Sequence, residues 1–334
     1  MSPPSCYNVL VTGGAGYVGS HCVRALCEAG DRVVVLDNLT AGHRLAVDRR
    51  AELVVGDLAD EGVLDRLFAE RRFDAVMHFA AFADVNESVR EPLRYFQNNI
   101  VNSVKLLDAM RRHEVRSLVF SSSCAVYGVP PSVPITEHAP KNPISPYGRT
   151  KLAMEWAMED SAAAWGLGAT ALRYFNAAGA AQDGAIGEDH DPETHLIPLV
   201  LRVALGRAAE IKVFGDDYPT SDGTCVRDYV HVEDLASVHR LALDKQQPGR
   251  FSAYNVGTGT GASVKQVIDA AREVSGRSIP ATAAPRRSGD PPALFADSSK
   301  VRRELGWSPA FVDVRSIIET AWRWHHAHPD GFAD

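Results

Sequence analysis

The chain is poor in cysteine. Its five cysteines, Cys6, Cys22, Cys27, Cys124 and Cys225, are odd in number and show no paired CxxC spacing. Neither a disulfide framework nor a zinc site is expected from them, and reduced thiols in a reducing compartment fit better. Long apolar runs are missing too. No segment approaches the ~20 residues that span a bilayer, so no membrane partner is expected. The N-terminal stretch MSPPSCYNVLVTGG lacks a basic leader and a cleavable apolar core, and its apolar run reads as a strand. A cytoplasmic location is the expectation. An excess of positive charge is likewise absent: 35 Lys and Arg face 42 Asp and Glu, a net charge of −7. That balance argues against nucleic acid as a partner. It leaves room for a phosphorylated small molecule, for which a few local arginines suffice. The tail WHHAHPDGFAD gathers His325, His326 and His328, which read as a solvated terminus. No metal site is expected anywhere.

What is present is an ordinary globular composition, 45% hydrophobic and 23% charged, over 334 residues. Apolar, β-branched runs recur at NVLVT (8–12), RVVVLD (32–37), ELVVGD (52–57), AVMHFA (75–80), SLVFSS (117–122) and ATALRYFN (169–176). Between them, 21–30 stops at a glycine and 63–72 is amphipathic. In 92–113, Leu93, Phe96, Ile100, Val104 and Leu107 follow helical spacing. Strands alternating with helices predict an α/β fold, a Rossmann-type doubly wound parallel sheet. After residue 177 the rhythm changes to Gly- and Asp-rich loops and shorter elements, including a capping box at Ser263 and Gln266. The expected division is a dinucleotide-binding domain over 1–177, with some later segments returning to it. A smaller mixed α/β domain over 178–334 would hold the substrate at the sheet's carboxyl edge.

The stretch TGGAGYVGS (12–20) follows the first strand and opens a helix, with Gly13, Gly16 and Gly19 in phase. Asp37 ends the second strand 18 residues after Gly19. Glycines admit a pyrophosphate to the backbone, the helix start attracts it, and the aspartate suits ribose hydroxyls. A carboxylate there repels a 2′-phosphate, so NAD is the expected cofactor. Further on, Tyr147 and Lys151 in SPYGRTK stand four residues apart, on one helical face. A phenol has a pKa of about 10 when unperturbed, and a nearby ammonium is expected to lower it toward a working base.

Taken together, TGGAGYVGSH, HFAA, SSSCAVYG, YGRTK, LRYFNAAGA, FGDDYPTSDGTCVRDYVHVEDLA, NVGTGTG and RRSGDPPALFAD resemble the extended short-chain dehydrogenase/reductase superfamily. Within it they resemble the sugar-nucleotide epimerases of the NAD-dependent epimerase/dehydratase family, from about Val9 to Trp324. The resemblance implies a 4-epimerase of UDP-sugars working through a 4-keto intermediate. Tyr147 would be its acid and base, Lys151 the partner that holds the nicotinamide ribose, and Ser123 a hydrogen-bond donor to the sugar's 4-oxygen. For the cofactor it implies Tyr17 and Val18 beside the glycines, Asn38 with Asp37, Asp57 and Leu58 at the adenine, Phe79, Ala80 and Ala81 at the pyrophosphate, and Asn98 and Tyr174. For the sugar nucleotide it implies Asn99, Phe175, Asn176, His195, Leu196, Val213, Phe214, Arg227, Tyr229, Arg287, Asp290 and Leu294. Phe175 would gate sugar rotation. The partner implied besides the UDP-sugar is a second copy, paired through a four-helix bundle formed by helix 92–113 and the helix carrying Tyr147.

Three positions depart from the family pattern. Ala83 stands where many members have a lysine near the cofactor phosphates, and His195 where many have an asparagine. Leu294 stands where a tyrosine restricts the site to UDP-glucose and UDP-galactose and small residues admit N-acetylated sugars. Leucine is intermediate in bulk, which favours the unacetylated pair. UDP-xylose/arabinose, UDP-glucuronate and UDP-N-acetylglucosamine stay open as substrates. A dehydratase is disfavoured because Cys124 and Ala125 occupy the places of its acid pair. A non-catalytic NAD-sensing regulator is disfavoured by the retained tyrosine and lysine.

Overall fold

The computed structural model describes residues 6–287 and 290–333. The first five residues of the N-terminal stretch, Ser288 and Gly289 of RRSGDPPALFAD, and Asp334 lie outside the described residues. The six sequence-predicted strands appear as β1 (Asn8–Thr12), β2 (Arg32–Asp37), β3 (Glu52–Val55), β4 (Ala75–His78), β5 (Ser117–Ser121) and β6 (Gly168–Tyr174). A seventh, β7 (Phe251–Val256), comes from the later half of the chain and pairs with β6. The order is β7-β6-β5-β4-β1-β2-β3, with every pairing parallel.

Parallel strands buried on both faces need apolar residues throughout, which is why these runs read as near-continuous hydrophobic stretches. Helix α1 (Tyr17–Glu28) and its neighbours cover one face, around Val9, Val11, Val33 and Val35. Helices α2 (Glu61–Glu70), α3 (Asn102–Arg112) and α4 (Pro146–Trp165) cover the other, around Leu10, Leu36, Val76 and Leu118. Strand order reverses between β1 and β4, and the loops leaving those two strands form the crevice where such sheets bind ligands. At Gly13, in the left-handed region with φ 72°, a Cβ would lie 2.5 Å from the Ala80 nitrogen. The two loops therefore touch only because a glycine is there.

After β6 the chain enters the smaller layer. Helices α5 (Leu196–Ala204) and, further on, α7 (Val264–Ser275) and α8 (Val314–Ala327) share a core of Ile197, Val200, Val267, Ile268, Ile317 and Ile318. The capping box of α7 is present, with Ser263 accepting from the Gln266 backbone and Gln266 accepting from the Ser263 backbone. Between them α6 (Val232–Asp244) returns to the sheet, where Leu235, Val238 and Ala242 join the core of β1 and β2 together with Val301 and Trp307.

One carboxylate fastens the two layers. Fully buried Asp228 accepts from the Thr258 nitrogen (2.8 Å) and hydroxyl (2.7 Å), the Gly259 nitrogen (3.1 Å) and the Ala296 nitrogen (3.0 Å). It thereby holds the loop after β7 and the strand Ala293–Leu294 against the strand Val226–Arg227. Asp228→Ala leaves three N–H groups without an acceptor, one buried (Ala296) and two half-buried (Thr258 and Gly259). Since a buried group of this kind costs about 1–3 kcal/mol, urea unfolding of the variant is expected to show a loss of about 1–3 kcal/mol.

Candidate active site

The three serines that end β5 point to three different partners. Ser121 shares a hydrogen bond of 2.5 Å with the Tyr174 hydroxyl. Ser122 donates to Glu155 Oε1 at 2.6 Å. Ser123 caps the short turn Cys124–Val126 by accepting from the Ala125 nitrogen at 3.2 Å, and its hydroxyl lies beside the Tyr147 phenol. This last contact depends on how closely α4 approaches. Ser145 caps the helix and Pro146 occupies its first position, a strong start signal. At the next residue but one, Gly148, a Cβ would fall 2.5 Å from the Ala125 carbonyl oxygen. No larger residue lets the first turn of α4, with Tyr147, sit on the Ser123 turn.

Lys151 lies one turn further on and is almost fully buried. Its ammonium donates to the Ser121 carbonyl at 2.8 Å and lies 5.7 Å from the centre of the Tyr147 ring. Burial pushes the Lys151 amine down to about 7, against the pull of Glu155. Burial also pushes the Tyr147 phenol up to about 12, with the Ser123 hydrogen bond as the opposing influence. On balance the phenol is therefore raised where the sequence reading expected it lowered, because burial penalises the phenolate. Cys124 is no nucleophile, because burial pushes its thiol up to about 12.

Beneath this row lies a polar network that sequence reasoning missed. Arg173 on β6 and Glu155 on α4 form a buried ion pair at 2.5 Å. Arg173 also donates to the Tyr127 hydroxyl at 2.7 Å, which donates to Asn255 Oδ1 on β7 at 2.7 Å. Tyr127 is enclosed within this network. Glu155 could have been found, since it continues the i, i+4 row from Tyr147 and Lys151.

The residues expected at the cofactor lie along the carboxyl edge of the sheet. Asp37 accepts from the Ala15 nitrogen and the Leu39 nitrogen, both at 2.9 Å, and keeps further acceptor capacity for ribose hydroxyls. Asn38 donates to Asp57 at 2.7 Å, joining the ends of β2 and β3. Leu58 and Val18 turn their side chains into the core. The Tyr17 hydroxyl donates to the Gly179 carbonyl at 2.6 Å, so its side chain serves packing between the layers. Phe79 and Ala80 hang from the Thr12 carbonyl, with Ala81 following. Asn98 donates to Asn99 within a π-helical turn, Gln97–Val101. A dinucleotide fits here. A Cβ on Gly16 would meet no protein atom closer than 3.5 Å, so the glycine there answers to no internal packing and leaves the helix start bare for a phosphate.

The nucleotide-sugar residues divide. A cavity of about 460 Å³ is lined by Asn176, His195, Leu196, Phe214, Arg227, Tyr229, Arg287 and Asp290. Arg227 pairs with Asp290 at 3.4 Å, and the Arg287 guanidinium lies 4.1 Å from the Phe214 ring centre. Val213 is buried in the core beneath this cavity. Phe175 packs with Val126, Tyr127 and Leu152, beside Leu294. Asn99 is engaged within the protein: its amide donates to the Phe82 carbonyl and the Thr150 hydroxyl, and its oxygen accepts from the Phe82 nitrogen and Asn98. Its capacity is spent on positioning. His195 turns Nδ1 toward Glu188 and Glu193, at 2.9 and 3.0 Å, and that nitrogen is not offered to a substrate.

Breaking the buried pair tests its place under the site. Glu155→Ala strands the Arg173 charge and is expected to cost about 3–5 kcal/mol in urea unfolding, whereas Glu155→Met combined with Arg173→Met is expected to recover most of it.

The comparisons agree with this geometry. Residues 9–257 match the model of the NAD dependent epimerase/dehydratase family. The UDP-glucose 4-epimerase of Lacticaseibacillus casei is 52% identical over 98% of this chain and 99% of its own length. The crystal structure of UDP-glucose 4-epimerase from Brucella ovis in complex with NAD is 48% identical, covers 95% of this chain and 97% of that one, and superposes with a TM-score of 0.91. That of the Bifidobacterium longum enzyme in complex with NAD+ and UDP is 40% identical over 97% and 100% of the two chains, with a TM-score of 0.93. This chain belongs to the NAD dependent epimerase/dehydratase family.

Proposed function

We propose that the chain interconverts UDP-glucose and UDP-galactose by inverting the configuration at C4, with NAD held in the crevice between β1 and β4. The observation that carries this reading is the Ser123–Tyr147 contact with Lys151 one turn away, set at the carboxyl edge beside a cavity lined by Arg227 and Arg287. The N-terminal layer, 1–177 with α6 and β7, holds the cofactor, and the 178–334 layer holds the UDP-sugar. When bound, NAD supplies a positive charge and the carbon that takes hydride from C4 and returns it, so the reaction is redox-neutral overall. Gly13, Gly16 and Gly19 would receive its pyrophosphate and Asp37 its adenosine ribose.

Tyr147 acts as the phenolate: it takes the proton from the sugar's 4-hydroxyl as hydride leaves C4, becoming the phenol, and gives that proton back when hydride returns after the sugar has turned. Ser123 donates to the same oxygen and fixes its distance from Tyr147. Lys151 places an ammonium beside the phenolate that forms, so the buried site gains no net charge from the pair. Arg227 and Arg287 suit the diphosphate, whose oxygens a planar guanidinium can take two at a time. Leu294, on the wall with Phe175, limits room beside the sugar's 2-substituent.

The same reading makes the chain a cytoplasmic enzyme of galactose metabolism and a homodimer. Support for the dimer comes from a stripe of exposed apolar side chains. Val89, Leu93, Val101 and Val104 line the helices over 85–112, and Leu93 is 81% exposed. Trp156 on the neighbouring α4 is 57% exposed. Two such helices from each copy would form a four-helix bundle. No helix among the described residues is long and apolar enough to cross a membrane.

Tyr147→Phe is expected to reduce kcat for UDP-galactose by roughly 10²–10⁴-fold. UDP affinity by calorimetry is expected to stay within a few-fold of the parent, and a fully active variant would remove Tyr147 from the mechanism. A panel of UDP-hexoses, UDP-pentoses, UDP-uronates and N-acetylated UDP-sugars tests the substrate. The expected result is a kcat/KM for UDP-N-acetylglucosamine at least roughly tenfold below that for UDP-glucose. Equal values for the two would overturn the assignment of Leu294.

A further inference from the structure

The loop leading into α5 carries four groups that the proposed reaction does not use. Glu188, His190, Glu193 and His195 each bring one nitrogen or oxygen to a common place, all within 4.8 Å of one another. His195 Nδ1 lies 2.9 Å from Glu188 Oε1 and 3.0 Å from Glu193 Oε1. His190 Nδ1 lies 3.4 Å from Glu188 Oε1 and 3.5 Å from Glu193 Oε2. A tetrahedral zinc ion with bonds of about 2.0 Å holds its ligand atoms about 3.3 Å apart. The observed spacings straddle that value.

The orientation of these groups is the second observation. Glu188 is 3% exposed, and its Oε1 has no hydrogen-bond partner, nor has the buried Nδ1 of His190. Close as these atoms are, they are not aligned as donor and acceptor. Only His195 and Glu193 are so aligned. Two metal-free imidazolium–carboxylate pairs would each aim an N–H at an oxygen. Side-chain atoms that converge on one point without aligned hydrogen bonds between them form an arrangement that a bound cation completes.

The geometry points to a binding site for one Zn²⁺ held by Glu188, His190, Glu193 and His195. Two imidazoles and two carboxylates suit zinc, whereas Mg²⁺ prefers six oxygens and retains water. Four protein ligands leave no open position, so the ion is structural. Its place in the fold says what it secures. His195 caps α5, whose first residue Leu196 lines the large cavity with Arg227. His190 meets the ring of Tyr17 at 6.1 Å, and Tyr17 follows directly on Gly16 of the dinucleotide loop. The ion fixes the loop that bridges the cofactor end and the nucleotide-sugar cavity.

Full-length protein dialysed against a chelator and titrated with Zn²⁺ alone tests this by calorimetry and by thermal melting. The expected result is saturation at one zinc per chain with micromolar or tighter affinity, and a melting temperature that rises on binding. Glu188→Gln and His190→Ala are each expected to weaken that affinity by roughly 100-fold or more. Absence of saturable binding to the parent chain would overturn the proposal, as would unchanged affinity in both variants or equal competition by Mg²⁺. If a variant does not fold, the stoichiometry and Zn²⁺-over-Mg²⁺ preference of the parent chain decide alone. No readout involves turnover, so this outcome and that of the epimerase assay stand apart.

Discussion

The pair of Glu155 and Arg173 is the contact on which the reactive row depends. Both side chains are 2–3% exposed. An ion pair removed from water is not a stabiliser by default, because desolvation offsets most of the Coulomb gain unless every remaining hydrogen-bond site is filled. Here they are largely filled. Glu155 accepts from two nitrogens of Arg173 and from the Ser122 hydroxyl, and the remaining Arg173 nitrogen donates to the Tyr127 hydroxyl. Asn255 continues the chain to the Ile135 carbonyl at 2.8 Å. A satisfied network of this kind has one low-energy arrangement. It sets the rotation of α4 relative to β5, and hence the position of Tyr147 and Lys151 relative to Ser121–Ser123.

That arrangement explains which parts of the molecule were legible in the sequence. Buried parallel strands demand continuous apolar runs, so β1 to β6 stood out, and glycine phasing placed the cofactor crevice. FSAYNV did not stand out: it is flanked by polar loops and joins the sheet only through its pairing with β6, some 80 residues earlier. The spacing of Leu93, Phe96, Ile100, Val104 and Leu107 announced one helix. The π turn at Gln97–Val101 breaks its regular phase, and it is this turn that holds Asn98 and Asn99. Periodicity cannot show such a turn, because a single wide turn leaves the flanking pattern almost intact.

The site divides along the same line. Tyr147 and Lys151 were legible because a helix fixes the distance between residues four apart. Arg227, Arg287 and Asp290 were expected from resemblance, and the fold brings them to one cavity. The partners of Asn99, and the turning of His195 toward Glu188 and Glu193, were not legible. These are choices of hydrogen-bond direction made by neighbours 17 and 51 residues away for Asn99, and by a carboxylate that only the folded loop presents to His195.

The charge state of the reactive pair follows from burial and not from proximity alone. Each group separately is driven toward neutrality, the phenol up to about 12 and the amine down to about 7. Read singly, these shifts describe a poor base beside a weak charge. A pair behaves differently, because desolvation penalises isolated charges far more than an ammonium and a phenolate formed together at short range. Moving one proton off Tyr147 while Lys151 keeps its own creates an ion pair and not a lone anion. The penalty that holds the phenol protonated is then partly offset at the moment the phenolate forms. Glu155, one turn beyond Lys151 and already neutralised by Arg173, favours the charged amine without offering it a direct salt bridge. Lys151 stays free to donate to Ser121 and to face Tyr147, which is the geometry that the proposed proton transfer at the sugar's 4-oxygen requires.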